Sequence, residues 1–401
     1  MMIDYQELLS EVGRTLRPNV IRKLTALANS GKVISFAAGA PSVDTFPIAE
    51  IAEIAIQTVR DKGKAALQYG ATRGLGSLLE GVIAIMAERG VRCSADEVVM
   101  TTGSQQGLDL IARLLFSPGD IALVELPSYI GGIIALHNGQ ARMVGVKQDD
   151  DGMVIDDLRE KLEQAKAQGR RVKCIYTIPN FQNPSGVTLS FERRKALLAL
   201  ADEYDFLIIE DDPYYELYFA EDATELKPLV AMNRERVIYL SSFSKTLAPG
   251  LRTAWVVAPK AFSAKIETLK EGADLSSSVF DQAIVAEAIR SGLVAKRLPE
   301  IRRFYQVRRD AMLETLERHA PAGARWTKPV GGFFLWMELA GKVDTTEILP
   351  QVIERGIAYV PGQPFFVDDG GTNTLRLAYS KESPERIAEG IEMLCNILKQ
   401  S

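Results

Sequence analysis

Long apolar runs alternating with amphipathic stretches set the pattern of this chain. Residues 97–101, Ile121–Leu126, 141–146, Val172–Thr177, 206–209, 237–240 and 254–257 are apolar almost throughout and rich in Val, Ile and Tyr. Such runs predict strands buried on both faces. Between them, 108–115, 155–168 and Phe191–Tyr204 carry the spacing of amphipathic helices. Strands and helices in this order predict an α/β fold: a mostly parallel, seven-stranded sheet lying between helices. Upstream, residues 5–29 read as one helix, 34–41 as a short strand entering a Gly/Pro turn, and 48–60 as a helix opened by Pro47. Beyond residue 259 the chain reads as helical to His319. Strands follow at 323–326, 331–337 and Thr374–Ala378, with helices at 345–355 and Pro384–Leu398. This predicts a smaller α+β part. The expected division is a large domain over 49–295 and a small domain formed by 1–48 and 296–401.

Polar clusters sit where the apolar runs stop. Strand 237–240 leads into Ser241-Ser242-Phe243-Ser244-Lys245-Thr246-Leu247-Ala248-Pro249-Gly250-Leu251-Arg252. A lysine just past a buried strand end is poorly solvated, and desolvation lowers its pKa. A neutral amine there is a nucleophile suited to an imine. The serines and Arg252 beside it can hold a phosphate. Gly103-Ser104-Gln105 joins a strand to a helix and offers free N–H groups to an anion, though Ser104 can equally serve as a plain cap. Other ends carry Tyr129, Asn183 in Asn183-Pro184-Ser185-Gly186, and Asp211-Asp212-Pro213-Tyr214. Ligands of parallel sheets bind beyond the carboxyl ends of the strands. Arg376 is a lone charge in an apolar strand and needs a carboxylate, from the protein or from a ligand.

Composition narrows the classes. The 401 residues carry a net charge of −5 without a basic run, which argues against a nucleic-acid partner. No apolar stretch reaches the roughly 18 residues of a membrane span. Cys93, Cys174 and Cys395 are far apart, in keeping with a reducing, cytoplasmic setting and no metal site. His137 and His319 are the only histidines, which argues against Ser-His-Asp chemistry.

Taken together, these motifs resemble the class I/II aminotransferases of pyridoxal-phosphate fold type I, over essentially the whole chain. The resemblance is greatest to the branch of 2-aminoadipate and kynurenine aminotransferases, which also supplies effector domains of transcription regulators. It implies pyridoxal 5'-phosphate as cofactor, linked as an imine to Lys245 of Ser242-Phe243-Ser244-Lys245. It implies a phosphate site of Ser104, Gln105, Ser242, Ser244 and Arg252, with Tyr69 reaching the phosphate of the neighbouring subunit of a homodimer with shared active sites. Asp211 would pair with the ring nitrogen, Tyr214 and Asn183 would meet the ring's phenolic oxygen, and Tyr129 would stack on the ring. Arg376 would grip the substrate α-carboxylate, Gly39 would lie on the substrate side, and Arg22 would meet a distal substrate group. The implied reaction moves the amino group of an L-amino acid (2-aminoadipate, aromatic or aliphatic type) to a 2-oxo acid such as 2-oxoglutarate.

The chain departs from the family pattern in two places: Ser77-Leu78-Leu79-Glu80 lacks the usual arginine, and Ser185 replaces threonine. About 30 residues precede the core, fewer than a winged helix needs, so a free-standing enzyme is expected. A β-lyase or a non-catalytic cofactor-binding sensor would use the same residues.

Overall fold

A computed structural model of the chain describes residues 3, 5–16, 33–220 and 226–400. The strands are β1 (Ile34–Ser35), β2 (Val98–Thr102), β3 (Ile121–Leu126), β4 (Arg142–Asp149), β5 (Gly152–Met153), β6 (Val172–Thr177), β7 (Leu207–Asp211), β8 (Val237–Ser242) and β9 (Thr253–Val257), then β10 (Arg325–Trp326), β11 (Phe334–Glu338), β12 (Ile357–Ala358), β13 (Val360–Pro361) and β14 (Thr374–Ala378). The main sheet has the order β2-β9-β8-β7-β6-β3-β4-β5. The run β8-β7-β6-β3-β4 is parallel, and β9 runs against both its neighbours. The seven anticipated strands gain an eighth, the two-residue β5, folded back on β4 as a hairpin.

Successive residues of each strand leave on opposite faces, and both faces are buried in β2, β3, β6, β7, β8 and β9, whereas β4 near the sheet edge is partly exposed. Val98, Met100, Leu123, Ile175, Ile208, Tyr239 and Trp255 fill one side. Val99, Val124, Cys174, Tyr176, Ile209, Ile238, Leu240 and Val256 fill the other, beneath Leu108 and Ile111 of helix Ser104–Leu115 and Leu136 of helix Ile130–Asn138. Buried apolar area of this extent is the main driving force for the fold. The register Tyr176↔Ile209 and Asp211↔Leu240 brings the carboxyl ends of β6, β7 and β8 level, so their last side chains meet in one place.

The second sheet is antiparallel, β10-β11-β14-β13. It packs on helices Leu293–His319 and Pro384–Leu398 through Leu335, Leu375, Leu377, Met312, Ile387 and Ile391. β1 pairs in parallel with β12, which joins the segment after residue 33 to this carboxy-terminal part. No helix among the described residues is long and apolar enough to cross a membrane.

Four local expectations change. Within 5–29, the described residues form two short helices, Tyr5–Leu8 and Glu11–Thr15, because Ser10 caps a new start by accepting from Gly13 N–H. The helix expected at 345–355 shrinks to Leu349–Glu354: the Thr345 hydroxyl donates to the Thr374 carbonyl instead. Helices Gly76–Glu88 and Ile130–Asn138 were not anticipated, since glycines stand where helix formers would announce them.

Candidate active site

A cavity of about 360 Å³ opens beyond the carboxyl ends of β7 and β8. Lys245 enters it from the turn after β8, its Nζ 3.5 Å from the Gly39 carbonyl oxygen and 5.8 Å from the Tyr214 ring centre. Burial, and then the nearby Arg252 and Arg376 guanidiniums, push this amine down to about 8, against the opposite pull of Asp211. At pH 7 about a tenth of it is then uncharged, far more than for a solvated lysine, and the neutral amine is the reactive form.

Asp211 ends β7 on the same face and is buried. Its Oδ2 accepts a 2.8 Å hydrogen bond from the Tyr176 hydroxyl, while Oδ1 is buried without a partner. Burial, and to a smaller extent the adjacent Asp212, raise its carboxyl to about 7. A buried acceptor left open in this way suits a ligand donor.

Arg376 comes from β14 and is 1 % exposed. Its Nη1 donates to Asn183 Oδ1 at 3.0 Å and its Nη2 to the Ala37 carbonyl at 2.7 Å; Nε is buried without a partner. No carboxylate among the described residues pairs with it, and burial lowers it to about 10. The cationic site thus lacks an anion. Tyr214 stands beside it, its phenol pushed up by burial and packed edge-on against Phe333 and Phe334. The Phe334 ring lies so near Gly39 that a Cβ there would be 2.6 Å from it, so position 39 holds glycine to let strap and ring touch.

The opposite end of the cavity is built for an anion. Ser104 opens the twelve-residue helix Ser104–Leu115, and its hydroxyl is buried without a partner. Gly103 takes φ +81, and a Cβ on it would lie 2.0 Å from Arg252 Nη2. Arg252 is thereby seated over the helix start, where the helix dipole adds to its charge. Ser242 and Ser244 line the same end, with Ser242 Oγ accepting from Ser244 N–H at 3.1 Å. Tyr129 forms one wall, and Gln105 beside it donates 2.8 Å to the Gly131 carbonyl. Gly103→Ala should weaken binding of the phosphate-bearing ligand that the sequence resemblance implies about tenfold or more, through both the strained backbone and the displaced guanidinium. Fluorescence titration of the protein with pyridoxal 5'-phosphate checks this.

Of the residues singled out in the sequence, Gly39, Ser104, Gln105, Tyr129, Asn183, Asp211, Tyr214, Ser242, Ser244, Lys245, Arg252 and Arg376 line this one cavity. Tyr69 does not: it stands 81 % exposed, away from the cavity of its own chain. Arg22 lies outside the described residues. Sequence reading passed over Tyr176 and Phe334, both hidden in apolar runs. The register of β6 and β7, Tyr176 opposite Ile209, is what puts Tyr176 on the face of Asp211, and the sequence carries no signal of that register.

A poorly solvated lysine and a buried carboxylate share the cavity, with an anion cradle at one end and an unpaired arginine at the other. On this α/β fold they define a pyridoxal-phosphate enzyme of fold type I. The fit to the cofactor is chemical: Ser104, Arg252 and the helix start suit its phosphate, the open Asp211 oxygen suits its ring nitrogen, and Lys245 suits its aldehyde. The family model for aminotransferase class I and II matches residues 31–394, and the chain belongs to that family. It is 42 % identical to aromatic-amino-acid aminotransferase 1 of Thermococcus litoralis, over 99 % of this chain and 95 % of that protein. Among solved structures it is similar to a kynurenine aminotransferase of Pyrococcus horikoshii in complex with PMP: TM-score 0.95, 41 % identity, 99 % of this chain and 98 % of the other. It is also similar to the α-aminoadipate aminotransferase of Thermus thermophilus complexed with N-(5'-phosphopyridoxyl)-L-leucine: TM-score 0.91, 38 % identity, 99 % of each chain. The protein is therefore an aminotransferase, and its cofactor is pyridoxal 5'-phosphate.

Proposed function

We propose that this aminotransferase takes the amino group of L-amino acids of the 2-aminoadipate, aromatic or aliphatic type and delivers it to a 2-oxo acid such as 2-oxoglutarate. The observation that carries the amino-acid reading is Arg376, a buried guanidinium lining the cavity with no carboxylate among the described residues paired to it. A substrate α-carboxylate supplies the missing charge. The breadth of donors follows the relatives, which are named for aromatic substrates, kynurenine and α-aminoadipate.

When bound, pyridoxal 5'-phosphate supplies an aldehyde that links to amines and a ring that accepts negative charge from the substrate Cα. Lys245 would hold the cofactor at rest, and its free Nζ would take the Cα proton and later return one, as general base and then acid. Asp211 would keep the proton on the ring nitrogen. Asn183 and Tyr214 would meet the phenolic oxygen, Tyr129 would cover the ring, and Ser104, Gln105, Ser242, Ser244 and Arg252 would hold the phosphate. Arg376 orients the substrate so that its Cα–H faces Lys245, with Gly39 on the substrate side. The carboxyl-terminal guanidinium and the phosphate cradle thus fix the two ends of the reacting assembly.

A panel of amino donors with 2-oxoglutarate, read as glutamate and 2-oxo acid formed, tests this. Release of pyruvate and ammonia without amino transfer would mark a β-lyase, and cofactor binding without turnover would mark a sensor. Arg376→Gln should raise KM for every donor by about 100-fold while the cofactor stays bound, since truncating one side of a buried charge pair costs 2–5 kcal/mol.

The same proposal includes a homodimer in the cytoplasm, with Tyr69 serving the phosphate site of its neighbour. Its support is the exposure of large apolar residues along and just after helix Ile48–Ala66, among them Ile56, Val59, Leu67 and Tyr69 itself. Free Cys93, Cys174 and Cys395 suit a reducing compartment. Tyr69→Ala and Lys245→Ala proteins, each inactive or weak alone, should regain activity when unfolded and refolded together, because one site of the mixed dimer is intact. Activity that never exceeds the sum of the two parents removes Tyr69 from the shared site.

A further inference from the structure

The residue that holds Asp211 from behind is Tyr176. It pairs in register with Ile209, and Asp211 lies two positions further along β7, so both side chains leave the sheet on one face. The Tyr176 hydroxyl, 2.8 Å from Oδ2, makes the one hydrogen bond to this carboxylate among the described residues, and Oδ1 is left open. The tyrosine is 1 % exposed.

Its ring is held in place by an absence. Gly132, in helix Ile130–Asn138, lies where a Cβ would stand 2.5 Å from Tyr176 Cε1, 2.6 Å from Cζ and 3.0 Å from the hydroxyl oxygen. Gly131 does the same for the Tyr129 ring, at 2.5 Å. Each glycine costs a helix about 1 kcal/mol relative to alanine. Two together, each filled by a tyrosine ring of the cavity region, have a packing reason in this site.

We propose that Tyr176, seated against Gly132, is a positioning residue for Asp211: it occupies Oδ2, fixes the carboxylate plane and leaves Oδ1 to meet the ring nitrogen. This rests on the reading of Asp211 as the carboxylate that faces the cofactor. A carboxylate with one oxygen pinned has a single orientation to offer, whereas an unpinned one must be ordered when the ring binds. The hydrogen bond also favours the ionised form. The groups acting on Asp211 are Tyr176 from β6, Asp212 just past the end of β7, Lys245 after β8, and Tyr129 and Tyr214 from the walls. Burial and Asp212 oppose ionisation, while Tyr176 and Lys245 favour it. Without the hydroxyl, Asp211 ionises only at higher pH, and a protonated Asp211 cannot hold a second proton on the ring.

The experiment is a cycle of Tyr176→Phe, Asp211→Asn and the double variant. Its readout is the dissociation constant of pyridoxal 5'-phosphate from the apo enzyme at pH 6 and pH 8, with near-ultraviolet circular dichroism to confirm folding. Tyr176→Phe keeps the ring against Gly132 and deletes one oxygen. It should weaken cofactor binding about tenfold, as expected for a hydrogen bond to a charged group, and more at pH 6 than at pH 8. In the Asp211→Asn background the same change should add nothing. Gly132→Ala should weaken binding in the same direction by moving the hydroxyl. Unchanged affinity in Tyr176→Phe, or a loss that persists in full without the Asp211 carboxylate, overturns the proposal. Unchanged affinity in Gly132→Ala removes the glycine seat. If Asp211→Asn alone binds cofactor as the wild type does, the reading of Asp211 fails, and the positioning role falls with it.

Discussion

Lys245→Ala lowers turnover by at least ~10³-fold and leaves the cofactor held without a covalent link, because one amine serves as both anchor and proton carrier. Borohydride reduction followed by peptide mass mapping should find the cofactor on Lys245 in the wild type and on no peptide of the variant. Arg376 and the phosphate cradle are untouched by the change, so substrate and cofactor still bind. Residual turnover near the wild-type level would remove Lys245 from the chemistry. The reactivity also has a pH signature. The amine sits at about 8 because burial and two guanidiniums disfavour its charge. Its neutral fraction therefore grows by about tenfold per unit well below pH 8, reaches about half at pH 8 and levels off about one unit above it. The rate of cofactor capture by apo enzyme should follow that curve. A midpoint near 10.5, the value of an ordinary lysine, would mean that the amine is solvated.

Asp211→Ala should cost ~10²- to 10³-fold in kcat, the scale of losing one preorganised charge partner at a reacting group. KM for amino donors should change little, since Arg376 and not Asp211 grips the substrate. The acid side of cofactor binding carries the sign. In the apo protein burial raises the Asp211 carboxyl to about 7, so the anion that pairs with a protonated ring is lost as pH falls below 7. Affinity for the cofactor should fall more steeply over that range in the wild type than in Asp211→Ala, which keeps only the dependence on Lys245. A kcat unchanged by the substitution would show that the ring nitrogen finds its partner elsewhere.

Much of this was legible in the sequence because buried parallel strands are written as unbroken apolar runs. β3, β6 and β14 fall where the pattern put them, and Lys245, Asp211 and Asn183 stand out as polar residues at the ends of such runs. The same reason hid Tyr176: within an apolar strand a tyrosine reads as one more core residue, and its hydroxyl matters only once β6 and β7 are in register. Gly131 and Gly132 concealed a helix, since their value lies in the space they leave for the Tyr129 and Tyr176 rings and not in helix propensity. The two-residue strands β5, β12 and β13 carry too few positions for any periodicity. Tyr69 could be assigned a role only by resemblance, because its proposed target belongs to another subunit.

One seam ties grip to anchor. Ala37 receives Arg376 Nη2, Gly39 receives the Lys245 amine and Ala40 receives the Ser380 hydroxyl, all through backbone carbonyls of the strap that β1 stitches to β12. The strap is thus a hem sewn to the carboxy-terminal part of the chain at three points and resting on the lysine at one. Any displacement of that part drags the hem along, so the hold on a carboxylate and the headroom above the reactive nitrogen open and shut in step.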